Sequence, residues 1–345
     1  MNISTFLRIF LTTTAITAAS YRTLADSNAA RVQAKPLFPA PLEWVGSDQP
    51  SEDESASLLD AIGAFETNGI PDGFAALEQF QRGHPRSPLA PSLDVNMAEH
   101  YRSSGRYTLA LAHWESAWSS TKSSTNSAAQ QVATRAIAGW TRLLGSLGEK
   151  EKLMALFKEL DGLHLSIGSY GTTIEGTREG LRVMQSSPAD SYRCGSFAVG
   201  YLALELGLDP KLSHRLLQTP SPDGGFTMAQ LVALALTNGL QLEAVRRPPG
   251  AELVLPCVVH WKLDHYAAIL EKNGGSYRVI DPTFGGHLWM QADAIDAEAS
   301  GDFLVPAPLF RRRSPHLRST LQRAIRSNLH IIEFPACLTS SLPGS

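Results

Sequence analysis

The chain has 345 residues, of which 43% are hydrophobic and 18% are charged, and its formal net charge at pH 7 is −3. At roughly 100–200 residues per domain, this length predicts about two domains with extensions, and the composition is that of a globular protein. The small net charge gives no reason to expect a nucleic acid or an anionic membrane as a partner. Three cysteines are too few for a disulfide framework.

The N-terminus has the pattern of an export signal. Arg8 precedes a mostly apolar run from Ile9 to Ala19, and Ala19 and Leu24-Ala25 offer small-residue cleavage positions. We therefore predict a signal peptide over residues 1–25 and a periplasmic or secreted protein; a cytoplasmic leader is the alternative. The apolar run is too short and too polar to span a bilayer, so we expect no membrane span in the mature chain.

A proline-rich linker is predicted over residues 26–52, and a helical region follows over residues 53–165. Small and aromatic residues recur in that region with a spacing of 34 residues, which is the period of the tetratricopeptide repeat. Two clear copies and a weaker third contain Ala76-Leu77 and Phe80, Ala110-Leu111 and Trp114, and Leu153 and Phe157. We predict an all-α, tetratricopeptide-like array that binds a protein partner, with an unrelated helical bundle as the alternative.

Cys194 directly precedes a helical pattern in which Phe197, Tyr201 and Leu204 share one face. The thiol is therefore predicted at a helix N-terminus, where the helix dipole and the unpaired amide groups favour the thiolate. A thiolate is the nucleophile of a cysteine peptidase. The alternative for a lone cysteine is a buried structural residue.

Two apolar runs follow, before and after Asn273-Gly274, and they predict a β-hairpin. If the loop comprises Lys272 to Gly274, with Gly274 in the left-handed conformation, His265 faces Asp281 directly across the two strands. Such neighbours lie close enough for a carboxylate to orient an imidazole and stabilise its charged form. Other loop lengths shift this pairing.

Other polar residues of this half of the chain have simpler interpretations. His260 is the rival for the general base, on the preceding strand. Cys257 lies in an apolar strand and is expected to be inert, although it could pair with Cys337 in an exported protein. The histidines are scattered and no Cys-x-x-Cys motif occurs, so we predict no metal site and no cofactor.

The segment from about 185 to 306 resembles the bacteriocin-processing, or double-glycine leader, cysteine peptidase family. The resemblance lies in the Cys-Gly helix start at Cys194, the His-Tyr pair at His265 and the Asp-Pro pair at Asp281. It implies a papain-like domain with an antiparallel sheet, a catalytic triad of Cys194, His265 and Asp281, and a peptide or protein substrate. It also implies small substrate residues just before the cut.

Two positions depart from the family pattern. The usual Asp before the nucleophile is Arg193 here, and the usual Gln six residues before the Cys is Pro188. Gln185, the nearest upstream glutamine, is the candidate side chain for oxyanion stabilisation. The alternative donors are the backbone amides at the helix start.

The combined prediction is an α+β protein, with the helical array followed by a papain-like peptidase domain over residues 166–308 and a basic tail over 309–345 that has no assigned role. The predicted activity is that of an exported cysteine endopeptidase. A catalytically weak or inactive binding module is one alternative, favoured by Arg193 and the missing Gln. A transglutaminase-like acyl transferase is another, favoured by Asp281-Pro282-Thr283 but usually having a much shorter Cys-to-His spacing.

Overall fold

The computed structural model describes residues 40–46, 50–68, 72–163, 165 and 168–307, together with positions 32 and 38 and the segment Ile332–Glu333. The predicted signal peptide, Cys337 and nearly all of the predicted basic tail lie outside these residues. Helices come first and an antiparallel-sheet domain follows, which confirms the predicted α+β class.

The first part of the described chain is helical. Its helices are α1 (Glu52–Asn68), α2 (Asp72–Gly83), α3 (Ala90–Ser103), α4 (Tyr107–Thr121), α5 (Ser127–Leu147) and α6 (Lys150–Asp161). The aromatic residues of the proposed repeats, Phe80, Trp114 and Phe157, are buried on alternate helices, α2, α4 and α6. The tetratricopeptide identity of these helices stays a prediction.

The second part combines helices with a seven-stranded sheet. The helices are α7 (Gly171–Ser186), α8 (Pro188–Ser191), α9 (Cys194–Glu205), α10 (Pro210–Gln218), α11 (Met228–Thr237) and α12 (Ala292–Glu298). The strands are β1 (Leu242–Arg246), β2 (Cys257–Trp261), β3 (His265–Asn273), β4 (Ser276–Asp281), β5 (Gly286–Gln291), β6 (Ala299–Pro306) and β7 (Ile332–Glu333). Their order is β5-β4-β3-β2-β6-β1-β7, and every pair is antiparallel except β1 with β7. In the described segments, no helix is long and apolar enough to cross a membrane.

The chain divides into two compact units. The first takes its described residues from Met1–Ala98, Ala112–Ile137 and Leu163–Tyr170, and the second from Glu99–Leu111, Ala138–Gly162 and Gly171–Ser345. The C-terminal ends of α3 and α5, the start of α4 and all of α6 therefore group with the sheet. The predicted domain boundary at residue 165 stays a prediction, and it does not coincide with this division.

Two apolar layers cover the sheet of the second unit. On one face, Val199 of α9, Leu216 of α10 and Leu231 of α11 pack with Val258 and Leu304 of the sheet. On the other face, a second cluster includes Val259, Ile269, Phe303 and Ile295 of α12. Burial of each such side chain contributes about 1.5–3 kcal/mol. These layers fix α9 against β3, the two elements on which the candidate site is built.

Gly200 lets α9 and α10 approach closely. A Cβ atom at Gly200 would lie 2.6 Å from Leu217 Cγ and 3.1 Å from the Leu217 backbone nitrogen. Gly200→Ala should therefore destabilise the protein by about 1–3 kcal/mol through overpacking, measured by urea unfolding. The matched control is Gly176→Ala on α7, where a Cβ meets nothing within 4 Å. That change should stabilise by roughly 0.5–1 kcal/mol, and equal effects of the two substitutions would contradict this packing account.

Candidate active site

Cys194 is the first residue of α9, and Arg193 is the N-cap. The predicted position of this thiol at a helix N-terminus is therefore present in the structure, and Cys194 is partly exposed. The following glycine packs closely on its neighbours, because a Cβ at Gly195 would lie 2.9 Å from Leu231 Cδ2 and 3.3 Å from Phe226 Cβ, so that the Leu231 side chain would have to shift. The Cys-Gly pair thus combines a partly exposed cysteine with close packing of α9 on its neighbours.

The predicted register of the β3–β4 hairpin is wrong. The loop contains two residues, Gly274 and Gly275, because Asn273 pairs with Ser276. Gly274 has φ 59°, the left-handed conformation that a glycine adopts without steric cost and that suits the first position of a tight two-residue turn. A bulge between Ile269 and Glu271 shifts the register again, so that Ala268 pairs with Ile280.

His265 and Asp281 nevertheless meet, as diagonal neighbours. Continued by one residue, the observed register places Asp281 opposite Ala267, two residues from His265 and on the same face of the sheet. His265 Nε2 lies 2.7 Å from Asp281 Oδ2, within hydrogen-bonding distance. Both residues are buried, with 2% and 5% of their surfaces exposed. The contact between His265 and Asp281 is therefore shielded from solvent.

Thr283 holds the other oxygen of the Asp281 carboxylate. Its hydroxyl donates to Asp281 Oδ1 at 2.6 Å, and its backbone N–H donates to the same oxygen at 3.0 Å. The hydroxyl oxygen also lies 3.2 Å from His265 Nε2. These contacts fix the orientation of the carboxylate, with Oδ2 directed at the imidazole.

The electrostatics of Cys194 and His265 favour an ion pair. Burial raises the pKa of the Cys194 thiol, but the charge and hydrogen bond of His265 and the backbone amide of Tyr266 outweigh it, so this pKa lies below its ordinary value. Burial lowers the pKa of His265, but Asp281 and Cys194 raise it well above its ordinary value. Both shifts favour a thiolate on Cys194 beside an imidazolium on His265.

The rival residues lie in different surroundings. His260 Nδ1 is 3.0 Å from Ser300 Oγ, and burial lowers the pKa of this imidazole. Cys257 is fully buried, and burial raises the pKa of its thiol to about 12. The predicted burial of Cys257 is therefore present in the structure, its inertness stays a prediction, and its proposed pairing with Cys337 lies outside the described residues.

The residues at the two departures from the family pattern lie in different structural settings. Arg193 donates a hydrogen bond to the Leu217 carbonyl oxygen, and its guanidinium lies 4.8 Å from the ring centroid of Phe197. Its side chain therefore joins α9 to α10. Pro188 is the first residue of α8. Gln185 is exposed in the last turn of α7, and no hydrogen bond joins it to Cys194 or His265 among the residues that the structure describes.

Sequence reasoning missed the aromatic neighbour of His265. Phe284 ends the short 3₁₀ segment Pro282–Phe284, and its ring packs edge to face against the imidazole, with centroids 5.3 Å apart and an interplanar angle of 78°. The only signal in the sequence is that Phe284 follows Asp281-Pro282 closely. Within the described part of the chain, no group of three or more His, Cys, Asp or Glu residues is placed to hold a metal ion.

The Peptidase C39 family model matches residues 183–309. One similar solved structure is a double glycine motif protease from an AMS/PCAT transporter, in complex with the leader peptide. The match covers 33% of this chain and 84% of the protease chain, with 20% sequence identity and a TM-score of 0.28. Another is the N-terminal peptidase C39 like domain of a toxin secretion ATP-binding protein from Vibrio parahaemolyticus. This match covers 32% of this chain and 93% of that domain's chain, with 18% sequence identity and a TM-score of 0.27. No curated protein matches the chain.

The family match covers Cys194, His265 and Asp281, the residues on which the resemblance was based. It confirms that resemblance for this part of the chain. The helices before residue 183 lie outside the match. The chain therefore carries a Peptidase C39 family domain, with a cysteine peptidase fold, over residues 183–309.

Proposed function

We propose that this protein is an exported cysteine peptidase that cleaves a peptide or protein through Cys194, His265 and Asp281. The observation that carries the proposal is the buried imidazole of His265, whose Nε2 lies 2.7 Å from Asp281 Oδ2 and whose charge lowers the pKa of the Cys194 thiol. The Peptidase C39 domain supports the reaction class. The catalytic roles of the three residues, export and the substrate are parts of this proposal.

The two ring nitrogens of His265 have different roles in this proposal. His265 Nε2–H donates to Asp281 Oδ2, which leaves Nδ1 for the thiol of Cys194. In the proposed reaction, the Cys194 sulfur attacks the scissile carbonyl carbon. The proton on His265 Nδ1 passes to the amine nitrogen as the C–N bond breaks. Water then hydrolyses the thioester, which releases the carboxylic acid and regenerates the thiol.

The negative oxygen of the tetrahedral intermediate needs hydrogen-bond donors. The first N–H groups of a helix have no partner within the helix, and α9 begins at Cys194 itself. We propose these amides and the helix dipole as the main oxyanion stabilisers. Gln185 remains the side-chain candidate from the sequence.

The most direct test is selective alkylation of the folded protein. Iodoacetamide near pH 7 should label Cys194, because its lowered pKa provides thiolate, and should leave the buried Cys257 unlabelled. Peptide mapping by mass spectrometry should find Cys257 modified only after denaturation. When the labelling rate of Cys194 is measured as a function of pH, the folded protein should reach half its maximal rate at a lower pH than the unfolded chain. Preferential labelling of Cys257 would remove Cys194 as the nucleophile.

Hydrolysis itself needs a separate measurement. A peptide library that includes sequences with Gly or Ala before the cut should be cleaved by the parent protein and not by Cys194→Ser. A protein that is alkylated at Cys194 but cleaves nothing would favour the binding-module alternative, for which Pro188 in place of the usual Gln is the supporting observation. N-terminal sequencing of the protein from its native cell tests export, since a chain that still begins at Met1 would contradict it.

We further propose that the helices before the peptidase domain bind a protein partner or present the substrate. The support is the spacing of 34 residues between the aromatic and small residues of α2 and α4. Repeats of this kind pack side by side and form extended binding surfaces. The test compares peptide binding by the parent with that by a variant that carries bulky substitutions at exposed positions of these helices. Equal binding of the same peptide by the two proteins would count against this role.

A further inference from the structure

A segment well before the family domain lies close to the candidate site. Residues 105–108 join the end of α3 to the start of α4 and belong to the same compact unit as the sheet. Gly105 has φ 78°, and a Cβ there would lie 2.5 Å from Met290 Cε of β5. Only a glycine fits this conformation and this approach without rearrangement.

Two polar contacts anchor the same segment. Arg106 forms an ion pair of 2.7 Å with Asp293 of α12. Glu298, which is 2% exposed, accepts hydrogen bonds from the backbone N–H of Thr108 at 3.1 Å and from its hydroxyl at 2.8 Å. A buried carboxylate thus satisfies free donors at the N-terminus of α4, where negative charge is favourable.

Between these anchors, Tyr107 continues a column of rings to the imidazole. Its ring is 3% exposed and stacks on Phe284 with centroids 4.5 Å apart and an interplanar angle of 11°. Phe284 in turn packs edge to face on His265. Tyr107 also meets Trp261 of β2 edge to face, at 6.5 Å. The position of Phe284 is therefore fixed from behind by Tyr107.

Tyr107 also borders a small cavity beside the acid. This cavity has a volume of about 100 Å³, and Tyr107, Phe284 and Asp281 form part of its wall. Removing the phenol ring would enlarge the space next to the Asp281 carboxylate. A polar space of that size admits water, which raises the local dielectric and weakens interactions between charges.

The charged and titratable neighbours of the pair are few. His265 contacts Asp281 of β4, and it interacts through charge with Cys194 of α9 and His260 of β2. The cavity beside Asp281 is also lined by Arg102 from α3, His287 from β5 and Tyr107 from α4. Burial, and then the nearby Asp281 carboxylate, raises the pKa of the Tyr107 phenol, so this side chain stays neutral. Its effect on the pair is therefore one of packing and exclusion of water.

We propose that Tyr107, which lies outside the Peptidase C39 domain, is a positioning residue that acts through Phe284 to hold and shield the His265–Asp281 pair. The proposal rests on the function proposed above for that pair. It also means that the family domain alone does not contain the whole site.

The test is the titration of His265, followed by NMR in histidine-labelled protein and assigned with His265→Gln. Tyr107→Ala should lower the His265 pKa by about one unit or more, because water beside Asp281 weakens its hold on the imidazolium. Tyr107→Phe keeps the ring and should titrate as the parent does. Its hydrolysis of peptide should also match that of the parent, whereas Tyr107→Ala should lose mainly kcat.

The control is Phe303→Leu, a change at a buried aromatic of the same unit whose ring centroid lies 5.7 Å from the guanidinium carbon of Arg247. It should lower the melting temperature without moving the His265 titration. An unchanged titration in Tyr107→Ala, an equal shift in Phe303→Leu, or an equal shift in Tyr107→Phe would overturn the proposal. The NMR titration needs no substrate, so it tests the role of Tyr107 even if the protein proves not to hydrolyse peptides. Peptide hydrolysis by the parent protein likewise tests the peptidase proposal even if Tyr107 has no effect on the titration.

Discussion

His265→Ala should lower kcat/KM for peptide hydrolysis by roughly 10⁴–10⁶-fold, the range found when a base is removed from comparable triads. The imidazole lies within hydrogen-bonding distance of Asp281, and its charge lowers the pKa of the Cys194 thiol. Its removal takes away the proton acceptor and the positive charge that lowers the thiol pKa. Iodoacetamide labelling of Cys194 in this variant should therefore require a higher pH than in the parent, which single-turnover and labelling kinetics would measure.

His260→Ala provides the matched control. His260 is the neighbouring histidine of the same sheet, but its hydrogen bond goes to Ser300. This variant should retain activity within about tenfold of the parent, since the triad geometry stays in place. Equal damage from the two substitutions, in proteins with equal melting temperatures, would mean that the base is misassigned.

Asp281→Asn should slow turnover by about 10–10³-fold while the fold stays intact. The two donors of Thr283 hold the acceptor oxygen at the Oδ1 position, so the new NH₂ group would face His265 Nε2. Nε2 would then act as an acceptor, and the proton would move to Nδ1, where the thiol proton must be received. The loss is smaller than for serine enzymes because a thiolate is an intrinsically good nucleophile. Single-turnover kinetics after a thermal melt would measure it.

Thr283→Val separates orientation from tautomer. It removes the hydroxyl donor to Asp281 and keeps the backbone donor and the side-chain shape. The carboxylate still faces the imidazole, so the loss should be only a few-fold, about what one net hydrogen bond contributes. Asp281→Asn activity equal to that of the parent, or below that of His265→Ala, would contradict the role given to the carboxylate.

Local chemistry explains what the sequence allowed us to predict. Cys194 was recognised at a helix start because its neighbours repeat with helical period and because Gly195 follows it. The strands that hold His265 and Asp281 were recognised from apolar runs around a glycine-containing turn. These signals lie within a few residues of the features they predict, so one sequence is enough to find them.

The register and the wider surroundings depend on longer-range geometry. Two adjacent glycines permit a two-residue loop, and a bulge after Ile269 adds a further shift, which hydrophobic alternation alone does not indicate. The predicted contact between His265 and Asp281 is present although the predicted register is wrong, because diagonal neighbours on one face of a sheet also reach each other. Tyr107 could not be linked to the site at all, since nothing in a helical pattern indicates a contact with Phe284 far along the chain.

The capping of α4 by Glu298 has a consequence for anyone who shortens this protein. A truncated version that starts at residue 183, where the family match begins, would lose Thr108 and leave a buried carboxylate without its hydrogen-bond donors. The ring faces of Phe284 and Trp261 would meet solvent as well. Poor solubility of such a fragment would then reflect where it was cut and not an inability of the peptidase domain to fold.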